Sequence, residues 1–545
     1  MSALWKFLFD WDCAELWATM FSSKGGTLHR SSSMQRVRQM VSPFGSMKDE
    51  AKTRIDNAAA ELNALSHDLW SHPENPYNEV HAHDLLTTFL ENDGFEVERN
   101  FILPTAFRAT YGYDGGRAVA VMAEYDALPN IGHASGHNLV AESAIGVALG
   151  VKAALESMEQ KVQKGKIIVF GCPSNAGAGK QKLINAGVFF GISASLMVSP
   201  FNKNILKPRQ EALEKVRYKF HGLSANASLA PWDGRNALDA AVQCYSSIAA
   251  MRKHLRPSIK VHGVFVNGGN HPGVVPDQTE LLFHIEASTT AELQPAVKKC
   301  EDCAIGAASA TQCTVEIEYG SYFAELKTNS HLSLLYKKHC NELGLKFLKE
   351  EQNLPVGIAT DMGNVSFVTP SIHVLYDINT AALNNTKEFA LAAGAPEAQK
   401  ATLLQAKALA LTAIDLLQPG GSKLIDSINK EFQKLTPPSE VVGQIPMNQP
   451  ADTPYGNKGT LPREAVSANL QNGPPVETPE PAREAMPDDV GSSTDWNKAA
   501  DLDDKGSKAA EGNVTTDNIS EGKPAGEGSN DQAAEQKEVP TVTVN

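Results

Sequence analysis

The 545-residue chain is poor in cysteine, in aromatic residues and in long apolar runs. Its seven cysteines (Cys13, Cys172, Cys244, Cys300, Cys303, Cys313, Cys340) are odd in number, and no secretory signal is read ahead of them. That excludes a disulfide framework and points to a reducing, cytoplasmic compartment. Cys300 and Cys303 have CxxC spacing but no second pair, and they sit in a helical pattern. They read as a buried helix face rather than as a zinc or redox site. No run reaches the length of a membrane span. An excess of basic residues is missing as well. Of the net charge of -14, residues 434–545 carry -10, from 19 acidic and 9 basic residues, so the remainder is nearly neutral. Nothing in that distribution suggests a nucleic-acid partner.

What is present changes texture along the chain. Residues 1–22 repeat Trp5, Phe9, Cys13, Leu16 and Met20 at helical spacing with only Lys6 basic, which predicts an amphipathic helix docking on a partner or on the body of the protein. A linker completes this segment to residue 46. Over 47–208 a long amphipathic helix (Ile55, Ala58, Leu62, Leu65, Leu69) is followed by strand-like runs alternating with helices, the pattern of an α/β protein with a mixed or mostly parallel sheet covered on both faces. Over 209–322 about four strands interleave with two helices, predicting an inserted α+β unit of ferredoxin-like kind. The first texture resumes over 323–434. Beyond 435 apolar periodicity ends and Pro, Gly, Ser, Asn, Asp and Glu dominate, which predicts a disordered acidic tail.

The chemistry centres on Gly132-His133-Ala134-Ser135-Gly136-His137-Asn138, a loop opening into the helical run 139–155 after the turn Asp126-Ala127-Leu128-Pro129. Such a loop sets two imidazoles at the carboxyl edge of a sheet, where an α/β protein keeps its site. Together with Glu124-Tyr125-Asp126, with Cys172-Pro173-Ser174-Asn175-Ala176-Gly177-Ala178-Gly179-Lys180, with Trp232-Asp233-Gly234-Arg235-Asn236 and with Thr360-Asp361-Met362-Gly363-Asn364, in that order, it strongly resembles the zinc-dependent aminoacylase and carboxypeptidase-like amidohydrolases, peptidase family M20. The dipeptidase and aminoacyl-amide hydrolase branch is the most similar, and the resemblance spans about 47–417. It implies a zinc-exopeptidase-like sheet with an inserted lid that often dimerises. It also implies amide cleavage in which two metal ions activate a water and a Glu moves the proton.

Carried over one position at a time, the resemblance puts the family's Cys at Ser135 and its next ligand at His137, which is intact. The Glu-Glu pair falls on Ser174, as proton shuttle, and Asn175, as bridging ligand. A ligand His falls on Ser199, the lid His that steadies the oxyanion on Asn226, and the last ligand His on Asn385. A lid Arg that would grip a carboxylate is matched loosely by Glu286. Neutral hydroxyls and amides cannot compensate two divalent charges, so no cofactor is expected. The reading is a metal-free pseudoenzyme, a homodimer through its lid, that binds a peptide-like ligand or a protein partner. A further class left open is an interaction protein that works through the amphipathic stretch within residues 1–45 and the tail 435–545, and for the cleft itself the residues leave two alternatives open. One is an active metal-dependent dipeptidase or amidohydrolase, with zinc or another divalent ion held by a reduced set drawn from His133, His137, Asp126 and Asp361. The other is a Ser/His nucleophile built from Ser135 or Ser174. Otherwise His137 is a hydrogen-bonded loop residue, His133 and Asp126 order the loop or meet the ligand, and Asp361 is a turn or cap residue.

Overall fold

A computed structural model describes residues 43–158, 165–347 and 359–436, with the short strand Lys458–Gly459. The stretch 1–22 and nearly all of the acidic tail lie outside the described residues. The expected first helix is interrupted at Ala58 and forms α1 (Pro43–Asn57) and α2 (Ala59–Ser71), which bury Ile55, Leu62, Leu65 and Leu69 along one stripe. After α3 (Val80–Asn92) come β1 (Glu96–Arg99) and β2 (Phe107–Tyr113), an antiparallel pair that the sequence pattern does not announce. Neither strand carries a clean apolar alternation, and β1 has no fully buried residue. Then follow β3 (Ala118–Glu124), α4 (His137–Glu156), β4 (Gly165–Cys172), α5 (Gly179–Asn185) and β5 (Ile192–Phe201).

The inserted unit runs β6 (Ala212–His221), α6 (Ala237–Met251), β7 (Lys260–Asn267), β8 (Gln278–Ala287), α7 (Thr290–Ala310) and β9 (Thr314–Phe323). Its strands pair antiparallel in the order β9-β6-β8-β7, as the βαββαβ reading predicts. Every second residue of β8 is buried, so one face of this sheet meets α6 and α7. Cys300 is packed in that core and its thiol is pushed up to about 12 by burial, which agrees with a plain helix face. The chain returns as α8 (Ser330–Glu342), α9 (Met362–Val368), β10 (Ser371–Asp377), α10 (Lys387–Ala393), α11 (Pro396–Leu417) and α12 (Ser422–Leu435).

The main sheet has the order β1-β2-β4-β3-β5-β10, with β4, β3, β5 and β10 parallel. All seven residues of β3 are buried, because a central strand covered on both faces needs an uninterrupted apolar run. The connection from β3 to β4 goes to one side of β3 and the next, to β5, crosses to the other. That reversal opens a crevice at the carboxyl ends of the strands. The expectation that no run reaches the length of a membrane span is corrected: α4 is long and apolar enough by length and composition, and it lies buried in the α/β core against α1, α2, α11 and the sheet.

Candidate functional site

At the mouth of that crevice β3 ends in Glu124, and the following turn carries Asp126. The His loop then bends back so that α4 starts at His137. Gly136 makes the bend: its φ is +72°, and a Cβ there would lie 2.3 Å from Cγ of Pro200. Gly136→Ala is therefore expected to cost about 2–3 kcal/mol, from left-handed strain plus overlap with Pro200, read as a lower urea midpoint at unchanged slope.

Three carboxylates, Glu124, Asp126 and Asp361, converge here, each at most 3 % exposed. The protein supplies its own cations against them. The ammonium of Lys180, fully buried at the start of α5, bonds Glu124 and lies 2.6 Å from Oδ1 of Asp361, while its backbone N–H donates to Oδ2 at 2.8 Å. His137 places Nδ1 2.8 Å from both the carbonyl oxygen and Oδ1 of Asp126, and Nε2 3.2 Å from Oε2 of Glu124. Burial alone would depress the imidazole, but Asp126 and Glu124 outweigh it and raise the group to about 9. Burial likewise works against the Lys180 ammonium, and Asp361 and Glu124 overcome it and hold it protonated. Burial lifts the Asp361 carboxyl to about 6 even with Lys180 beside it. The expectation for Asp361 is corrected accordingly. It stands at the start of α9 but makes no side-chain cap, and its carboxylate serves Lys180.

The positions that the family resemblance marked are brought together only in part. The Ser135 hydroxyl donates to Oδ1 of Asn385 at 3.0 Å, and Asn385 itself sits at φ +66°. The side-chain oxygen of Asn175 accepts from the backbone N–H of Asp361 at 3.4 Å. Ser199 lies 2.8 Å from Nε2 of His373. The Ser174 hydroxyl accepts from the N–H of Gly177 and closes a turn. Asn226 is exposed, and its oxygen caps its own backbone at Ser228 and Leu229. Glu286, on β8, faces Lys260 at 3.6 Å, which does not suit a carboxylate grip. His133 places Nε2 2.9 Å from the carbonyl of Leu69, and burial, with His137 nearby, lowers it to about 4. Both it and Asp126 are buried.

These donors do not fit a two-metal centre. Both nitrogens of His137 face carboxylates, Asp361 is taken by Lys180, and the other four positions offer neutral hydroxyls and amides. The reduced set of His133, His137, Asp126 and Asp361 does not converge on one point either. Nor does Ser135 or Ser174 meet His137 among the described contacts. Ser199 instead pairs with His373, whose Nδ1 lies 3.1 Å from Oε1 of Gln210.

Two residues of this network escape a reading of the sequence. Lys180 is visible in the Ala178-Gly179-Lys180 motif, but its partners lie 56 and 181 residues away. Glu79, fully buried, accepts the N–H groups of Tyr77 and Ser174 at 2.9 Å and the hydroxyl of Thr105 at 2.7 Å. A carboxylate thus stands beside the family's shuttle position, with both oxygens already engaged. Its only signal in the sequence is an acidic residue following the proline turn.

A family model described as a peptidase dimerisation domain matches residues 213–310. A Xaa-Arg dipeptidase of Mus musculus is 42 % identical over 402 residues, covering 71 % of this chain and 92 % of the relative. A p-aminobenzoyl-glutamate hydrolase chain of Escherichia coli is 32 % identical over 276 residues, covering 47 % and 56 %. The crystal structure of an aminohydrolase from methicillin-resistant Staphylococcus aureus superposes with a TM-score of 0.55 at 19 % identity, covering 68 % of this chain and 100 % of that one.

Proposed function

The chain belongs to the M20 family of peptidases and amidohydrolases, and from that premise we propose that it is a member whose cleft holds no metal and binds a peptide-like ligand without cleaving it. The observation that carries this reading is the internal pairing of Glu124, Asp126 and Asp361 with Lys180 and His137. A cleft whose buried carboxylates already have cations has little electrostatic use for a divalent pair. Without such a pair water is not ionised at neutral pH, and the Ser174 hydroxyl cannot serve as general base in its place. The Xaa-Arg dipeptidase relatives make an Arg-ended dipeptide the first ligand to try.

The same relatives favour a second reading, an active metal-dependent dipeptidase, because their likeness extends over nearly their whole length. Metal analysis and a dipeptide panel separate the two. The metal-free reading expects calorimetric binding of an Arg-ended dipeptide and no turnover that a chelator abolishes. Stoichiometric metal that disappears in His137→Ala, together with chelator-sensitive hydrolysis, establishes the second reading instead.

The dimerisation match also supports a homodimer through the lid. Strand β7 is an edge of the lid sheet and leaves Val264, Phe265 and Val266 exposed, with a row of backbone groups free to pair. The double variant Val264→Lys, Phe265→Glu is expected to sediment as a monomer where the parent sediments as a dimer. A monomeric parent contradicts the assignment.

A further inference from the structure

At the junction of α2 and α3, Asp68, His72 and His81 bring three donor atoms within 4.8 Å of one another. Asp68 and His72 are one helical turn apart at the end of α2, and His81 is the second residue of α3. Oδ1 of Asp68 lies 2.8 Å from Nδ1 of His72 and 3.0 Å from Nε2 of His81, and the two rings stand 4.7 Å apart. We propose that these three side chains form a mononuclear zinc site that clamps α2 to α3.

Two imidazoles and one carboxylate are a borderline donor set, suited to zinc and the later first-row ions and not to magnesium or calcium. In a tetrahedral zinc site with bonds near 2.0–2.1 Å, neighbouring donors are about 3.3 Å apart. The two short separations seen here are a few tenths of an ångström below that, as expected of donors that share protons until an ion replaces them. The third pair needs to close by a modest ring rotation. The side chains are 36 %, 60 % and 42 % exposed, which leaves the remaining coordination position to water.

The backbone holds this geometry independently of any ion. Both carboxylate oxygens of Glu74 take N–H groups at the start of α3, those of His81 and Ala82, each at 2.9 Å. The carbonyl of Glu74 takes the N–H of Ala127 at 2.8 Å, and that of Leu69, next to Asp68, holds His133. An ion at this point therefore ties together the two helices on which the His loop rests, and zinc bound to the folded state adds stability by linkage.

The test uses the full-length protein stripped by a chelator and then dialysed against zinc. The expected result is one zinc per chain, a rise in Tm on adding zinc, and a visible spectrum of a low-coordinate site on replacement by cobalt. His81→Gln and His72→Gln, both at the surface, should fold as the parent does, yet each should weaken zinc binding more than tenfold and abolish the rise in Tm. His137→Gln and His67→Gln should leave zinc bound. A parent that binds no zinc at micromolar concentration overturns the site while leaving the metal-free cleft standing. Zinc that survives in His81→Gln but is lost in His137→Gln overturns both.

Discussion

Lys180→Met should destabilise the protein by about 3–5 kcal/mol, a loss measurable by urea unfolding at pH 7. Methionine keeps the length and packing of the side chain and removes only the ammonium. Lys180 is 0 % exposed, as is Asp361, and Glu124 is 1 % exposed, so no water replaces the missing charge. Among the described residues, Asp361 then keeps only the backbone N–H of residue 180, and Glu124 keeps only His137. Breaking one member out of a buried pair costs more than the pair itself contributes, because the partner's desolvation is left uncompensated. Adding Asp361→Asn should recover part of the loss, since the charge stranded by the loss of Lys180 is removed, and a double-mutant cycle measures the coupling. A single-variant loss below about 1 kcal/mol would show that the carboxylates do not depend on Lys180, and the reading of a cleft neutralised from within would fall with it.

Glu142→Gln should act in the opposite direction, stabilising the protein by about 3 kcal/mol at pH 7. Glu142 lies in the middle of α4, fully buried, and burial raises its carboxyl to about 8 from an ordinary value of 4.5. Below pH 4.5 the group is protonated in both folded and unfolded chains and contributes no pH dependence. Between 4.5 and 8 the unfolded chain releases the proton and the folded one keeps it. Stability therefore falls as pH rises through that window, by about 1.4 kcal/mol per unit from this residue. Glutamine fits the same space without a proton to lose. Its advantage should be absent near pH 4, grow to about pH 8 and then level off. A difference between variant and parent that stays constant over about pH 4–8 would show that Glu142 is accommodated as a charge.

How much of this can be read from the chain differs by element. The strands of the main sheet from β3 onward are legible, because central strands must be apolar throughout. The βαββαβ order of the inserted unit is legible from alternation in β8 and from two long helical patterns. The β1–β2 pair is not, since an edge hairpin half open to solvent carries mixed polarity. The first helix is legible as one apolar stripe, and only its irregularity at Ala58 is not, since helical bonds from Ala58 to Arg54 and from Leu62 to Ala58 carry the spacing across it. The neutral residues at Ser135, Ser174, Asn175 and Ser199 are readable because the motifs around them are local. Asp361 is misassigned for the converse reason: a residue opening a short helix looks like a cap until a lysine from another strand's crossover is found against it. In the Asp68, His72 and His81 cluster the first two stand at a spacing that a helix brings together, while His81 joins only through the fold of the turn between α2 and α3.

The order of residues, then, determined the α/β class, the inserted α+β unit and the neutral hydroxyls and amides at Ser135, Ser174, Asn175 and Ser199. Each of these is a matter of local period or local composition. The tertiary structure decided what became of the carboxylates left behind. Lys180 meets Glu124 across 56 residues and Asp361 across 181. No periodicity announces such a meeting, because the desolvation that makes an ammonium and two carboxylates need each other exists only after the strands have packed and water has gone.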